Sequence, residues 1–277
     1  MGFLDRFKGK KPTVNLAAEP LNLVPGQEVR LRVVVGGEID DKSQGAQAGI
    51  RCVNEFLTKE YDRREHEWDE VWRSITLHED MGDVPLEVGE HELTFTVPEG
   101  LPPSSSQAVK WEAWTKIDRS GGFDAKADRV LAVRLPSGSV PSERRTVAAD
   151  KDGVSFEDLP ASVRGGDTLQ GTLSVTTAED VKATGVKVKL TRTRRYNHDK
   201  HKINRSDDVA EVEVAGGQEF AAGQTRQFPF ALPVPTNPGP TAQAPHAVVE
   251  WKVTGYVARR MKLDLDVEAP IVVFDGP

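Results

Sequence analysis

The sequence predicts an all-β protein built as two antiparallel β-sandwiches in tandem, and three observations carry that prediction. The first is a strict period of two. In the stretch beginning at Val109, the residues Val109, Trp111, Ala113, Thr115 and Ile117 point one way and Lys110, Glu112, Lys116 and Asp118 the other. Successive side chains leave a sheet on opposite faces, so this alternation is the pattern of a half-buried strand. Trp114 is the one apolar residue on the polar side. The second observation is that the face reappears 140 positions later as Val249, Trp251, Val253, Gly255 and Val257. The third is composition: 24 Gly and 18 Pro against 10 Phe and 3 Tyr, with no long apolar helical stretch. Such a chain reads as strands punctuated by turns.

The chain opens with Met1–Lys11, in which Phe3, Leu4 and Phe7 fall on one helical face and Arg6, Lys8, Lys10 and Lys11 lie elsewhere. A short amphipathic helix is expected there, docking either on the protein or, through Phe3, Leu4 and Phe7, on a membrane surface. Val24-Pro25-Gly26-Gln27 then turns the chain into a strand with Val29, Leu31, Val33 and Val35 on its inward face. Arg164-Gly165-Gly166-Asp167 does the same for Leu169, Leu173 and Val175, at the same offset. Gly49–Val53 pairs in this way with Gly185–Lys189, and Phe95–Pro98 with Phe230–Pro233, the latter two each leading into a Pro-rich loop. Offsets of 134 to 140 imply one strand order used twice. Arg129-Leu131-Val133 and Leu263-Leu265-Val267 are the expected second alternating runs. Each half thus holds about seven short strands. The expected domains are residues 1–136 and 147–277, joined at 137–146 by a Pro/Ser/Gly-rich linker within LPSGSVPSERRT.

The length suffices for two cores. The one cysteine, Cys52, excludes an internal disulfide and falls on the Ile50-Cys52-Phe56 apolar face, as a core thiol in a reducing compartment. No window approaches the about 18 apolar residues of a membrane span, and a cytoplasmic location is expected. The net charge of −7 argues against nucleic acid as a partner.

Trp111–Arg119 followed by Gly121-Gly122-Phe123-Asp124 resembles the strand, turn and Phe-Asp element of arrestin N-domains, and Leu101–Ser106 is similar to their proline loop. The duplicated layout behind a short helix resembles the bacterial sporulation-control proteins, an arrestin-like branch. The resemblance implies two arrestin-like, immunoglobulin-like sandwiches, no enzymatic activity, no cofactor, and a scaffold or regulatory role through protein contacts. No phosphate-sensing residue of the eukaryotic arrestins maps onto this chain.

Candidate chemistry is sparse. His198-Asp199-Lys200-His201 has two histidines and an acid, but flanking Lys and Arg oppose a bound cation, so a solvated hairpin tip is expected and no metal. Arg119-Ser120-Gly121-Gly122 lacks the strand–loop–helix setting of a phosphate cradle, and no Gly-x-Ser-x-Gly elbow occurs. No catalytic residue is assigned.

Two charged stretches remain. Lys187–Arg205 holds eight Lys/Arg against one acid, with Lys187, Lys189 and Arg195 on the outward face and Arg192 and Arg194 where the apolar side ends. The corresponding Glu55–Glu70 has seven acids against three bases and carries Tyr61 and Trp68. Opposite charge at equivalent places suggests complementary docking surfaces, between two copies in a homodimer or toward a protein partner. Lys187, Lys189, Arg192, Arg194, Arg195, Tyr61 and Trp68 are therefore the candidate partner-binding residues. The alternative function is a small-molecule or carbohydrate-binding sandwich, with hydrolysis as its possible activity, using Trp111, Trp114 and acidic residues; a sugar platform would expose its aromatics.

Overall fold

The computed structural model describes residues 11–149 and 153–275, and nearly all of them are strand or turn. The helix expected over residues 1–11, with Phe3, Leu4 and Phe7, falls outside the described residues apart from Lys11. No helix among the described residues is long and apolar enough to cross a membrane. The chain divides into two compact units.

The first unit comprises the described residues up to Glu55, with Ser74–Ser104 and Val109–Arg134. One of its sheets is antiparallel, in the order β1-β3-β6: β1 (Thr13–Glu19), β3 (Glu28–Gly36) and β6 (Gly89–Thr96). The other has the order β2-β8-β7-β4-β5: β2 (Asn22–Leu23), β8 (Ala125–Val133), β7 (Val109–Arg119), β4 (Ser43–Asp62) and β5 (Glu67–Val84). Only β2–β8 is parallel among the registers described in this unit. Val29, Leu31, Val33 and Val35 on β3 are buried, as are Ala48, Ile50 and Cys52 on β4 and Trp111, Ala113 and Ile117 on β7. These alternating residues form the core between the sheets. The turn at Pro25–Gly26 works because Gly26 takes φ +83°, which admits glycine without strain, and its N–H donates to the Val97 carbonyl at 2.7 Å. Burial pushes the Cys52 thiol up to about 12.

The second unit comprises Phe56–Arg73, Ser105–Ala108 and the described residues from Leu135 onward. A single 3-10 turn at Ser137–Ser139 precedes β9 (Arg144–Ala148), so a strand begins inside the Pro/Ser/Gly-rich segment. The first sheet runs β16-β12-β10-β9, with β10 (Val154–Pro160), β12 (Thr168–Thr176) and β16 (Thr225–Pro233). The second runs β11-β19-β18-β13-β14: β11 (Ser162–Arg164), β19 (Leu265–Phe274), β18 (Ala247–Arg259), β13 (Val181–His198) and β14 (His201–Ala215). Short β15 (Gln218–Phe220) pairs with β13, and β17 (Ala242–Gln243) with β18. Its main path thus has the strand order of the five-stranded sheet in the first unit. The sheets meet face to face: a Cβ placed on Gly255 of β18 would lie 3.0 Å from the Phe156 ring of β10.

Three details differ from the alternation-based expectation. The β4–β5 and β13–β14 ribbons are long, not short: β4 has 20 residues and β5 and β13 have 18 each. Leu263 is exposed in the loop before β19, since the strand begins only at Leu265. Trp114 and Glu112, on the polar face of β7, are both buried. As a central strand, β7 has neighbours on both edges. Arg51 and Lys110 both engage the Glu112 carboxylate, and the Arg51 guanidinium lies 6.0 Å from the Trp114 ring centroid.

Candidate functional site

The segment Phe56–Arg73, the far end of the β4–β5 ribbon, packs within the second unit onto the end of β13–β14. Phe56 anchors it: fully buried, it stacks on His198 and tilts against His246, both at 4.8 Å between ring centroids. Trp72 meets Tyr196 edge-on at 5.6 Å, and Trp68 lies 5.0 Å from His201. Glu70 forms an ion pair with Arg205. The Glu70–Arg205 pair joins the acidic stretch to the basic ribbon, so the charge complementarity between them is met in part inside the second unit.

Tyr61 and Trp68 are brought together, with centroids 5.5 Å apart and Lys200 5.9 Å above the Trp68 ring. The Tyr61 hydroxyl hydrogen-bonds His66 Nδ1 at 3.1 Å. Both aromatics stay largely in solvent, at 46% and 51% exposure, and Trp72 joins them at 48%. Tyr61 and Trp68 form an exposed aromatic pair, and Trp72 lies four residues from Trp68 on the same strand.

The five cations of β13 do not form one patch. Lys187, Lys189 and Arg195 lie on the outer sheet face, while Arg192 and Arg194 lie on the side of Leu190 and Tyr196, with side chains only 21% and 14% exposed. Every one has an internal carboxylate. Lys187 bonds Glu211 at 2.9 Å, Lys189 bonds Asp208 at 3.3 Å, Arg192 and Arg194 share Asp207, and Arg195 pairs with Glu250. Burial alone would raise the Asp207 carboxyl, but the two guanidiniums outweigh it and hold it below the usual carboxylate range. Glu211 is also lowered, first by the Lys187 hydrogen bond and then by that of Tyr256. Arg192 further donates to the Pro238 carbonyl at 2.6 Å, and Arg194 to the Gln107 side chain.

The acids of β14 are what reading the basic stretch alone leaves out. A hairpin folded about Asp199–Lys200 sets Arg192 opposite Asp207 and Lys189 opposite Glu211, acids that lie two and six residues beyond Arg205 in sequence. The histidines of the hairpin tip diverge, His198 to Phe56 and His201 to Trp68. No group of three or more His, Cys, Asp or Glu that could hold a metal occurs among the described residues. Trp111 and Trp114, both buried, present no aromatic platform.

Residues 159–269, within the second unit, match the family model described as SpoOM protein. The resemblance to the sporulation-control proteins is borne out over that span. No curated protein matches the chain.

Proposed function

We propose that this chain is a cytoplasmic regulatory protein of the sporulation-control kind, a non-enzymatic scaffold that works by binding other proteins. The observation that carries the reading is the half-exposed cluster Tyr61, Trp68 and Trp72. Aromatic side chains bring large contact area at small entropic cost and dominate the centres of protein interfaces. Phe56 below fixes the ribbon end, so the cluster is presented from an ordered base. Lys187, Lys189 and Arg195, on the outer face of β13 rather than beside the aromatics, would steer the encounter at longer range, exchanging an internal carboxylate for a partner's. Exposed ion pairs contribute little, so these cations tune the encounter and the aromatics supply the affinity.

The test is capture of partners from the native cell on the full chain and on a Tyr61→Ser/Trp68→Ser double variant, at low and high salt. A partner retained by the parent at both salt levels and lost from the double variant is the expected result. Equal recovery on both chains would remove the aromatic cluster from the interface. Sedimentation of the chain alone separates binding of a second copy from binding of a different protein.

A further inference from the structure

We infer that the turn between β18 and β19 in the second unit is an insertion loop for a lipid bilayer that carries anionic headgroups. β18 ends at Arg259 and β19 begins at Leu265, so the tip of the turn is Arg260-Met261-Lys262-Leu263. Met261 is 95% and Leu263 88% exposed, the most exposed large apolar side chains described in this unit. The tip is nevertheless held in one shape. Asp264 accepts the Arg259 N–H at 2.9 Å, and Arg259 Nε donates to the Leu263 carbonyl at 2.7 Å. The equivalent turn of the first unit is closed in the same way, by the Arg119 N–H on Asp124 at 3.1 Å, and has a left-handed residue at the same place. There it is Gly121 at φ +66°, whereas here it is Met261 at φ +58°. A side chain is strained in that conformation and glycine is not. Met261 therefore costs conformational free energy and leaves its side chain almost wholly in water, so the folding of the unit does not account for it.

Charge selects the surface that covers the tip. Arg260 and Lys262 alternate with the two apolar residues, and no acid lies between Arg259 and Leu263. Arg260 has no carboxylate partner among the described residues. Lys262 has Glu179 at 3.7 Å, but the two side chains are 66% and 70% exposed, and so open a pair holds little. The other acids sit behind the tip: Asp264 is turned in to close the turn, and Asp266 lies on β19 opposite Tyr256. On a bilayer, Met261 and Leu263 would enter the acyl boundary while the long Arg260 and Lys262 stems keep their charged heads at the phosphates. Those cations add attraction only where the leaflet is anionic. A bilayer also yields to a convex tip, whereas a protein partner would need a pit shaped for it.

The experiment attaches a polarity-sensitive fluorophore to the full chain through Leu263→Cys; Cys52 is buried and stays unlabelled in the native protein. Vesicles of phosphatidylcholine alone, or of phosphatidylcholine and phosphatidylglycerol in equal parts, are titrated in. The expected result is a blue shift of the label on the mixed vesicles that is much weaker on the neutral ones and fades with added salt. The label reads the tip alone, so attachment elsewhere on the chain does not imitate this result. In vesicle flotation of unlabelled protein, Met261→Gly with Leu263→Ser should bind the mixed vesicles about a hundredfold more weakly, roughly tenfold for each side chain withdrawn from lipid. The variant should melt no lower than the parent, because glycine fits the left-handed position. Four results overturn the inference: no shift of the label on mixed vesicles, an equal shift on neutral ones, unchanged flotation of the variant, or a shift with lipid-free soluble cell protein in place of vesicles, which would assign the turn to a protein partner.

Discussion

Trp111 and Trp114 are two buried indoles on one strand, and they should respond differently to the same substitution. Trp111 Nε1 donates to the Pro102 carbonyl at 2.9 Å, whereas Trp114 Nε1 is buried without a partner among the described residues. Replacing either by Phe removes the pyrrole half of the ring. A void of roughly 40 Å³ costs about 1 kcal/mol at ~24 cal/mol per Å³. For Trp111→Phe the stranded Pro102 carbonyl adds about 1–3 kcal/mol. For Trp114→Phe no bond is lost and an unsatisfied buried donor disappears, which offsets the void. Weakening of the Arg51 contact returns only about 0.5 kcal/mol. Trp111→Phe should therefore be the more destabilising by about 2 kcal/mol. The assay is chemical denaturation followed by far-ultraviolet circular dichroism, with hydrogen exchange of β7 amides assigning the transition to the first unit. Equal losses in the two variants would refute the reasoning, because the hydrogen bond would then carry no weight.

Three further outcomes follow from the same geometry. Burial alone would raise the Glu112 carboxyl, but Lys110 and Arg51 outweigh it and hold it below its ordinary value of 4.5. A lowered folded value means stability that is complete above the unfolded value and lost as pH falls through the folded one. Stability measured against pH should thus show an acid limb that Glu112→Gln flattens; an unchanged limb in the variant contradicts this. Gly255→Ala sets a methyl against the Phe156 ring and Leu173, and should cost about 1–3 kcal/mol in equilibrium unfolding; a variant as stable as the parent would mean the sheets separate easily there. The Cys52 thiol, buried and pushed up to about 12, should resist a disulfide reagent at mildly alkaline pH and react only on unfolding; labelling of the native chain at the speed of a free thiol would place Cys52 at the surface.

The sandwich cores were legible because one mechanism dominates them. Where a strand has one wet face and one dry face, alternation names the dry one, and Val29 through Val35, Trp111 through Ile117 and Trp251 through Val257 all came out on the buried side. Alternation is silent where a strand is dry on both faces. Nothing in the local pattern separates a solvated Glu112 from one covered by Arg51 and Lys110, because the covering cations come partly from a strand 61 positions away. Trp114 was the local clue: an apolar residue on the polar face marked the place where that face is not wet.

The candidate site shows the same limit in electrostatic form. Counting charge along Lys187–Arg205 finds a strongly basic ribbon, but charge acts through space and the relevant neighbours are set by register. Folding the chain back at Asp199–Lys200 delivers Asp207, Asp208 and Glu211 to that ribbon within hydrogen-bonding reach. Tyr61, Trp68 and Trp72, on the β4–β5 ribbon, remain half in water at this end of the second unit. Spending the charges internally and leaving the aromatics exposed gives a surface whose binding should survive added salt. A partner held mainly by the cations of β13 would instead be released by it, since exposed pairs are screened within about 10 Å at 0.1 M salt. Salt dependence of partner capture therefore discriminates between the two halves of the candidate site without any substitution at all.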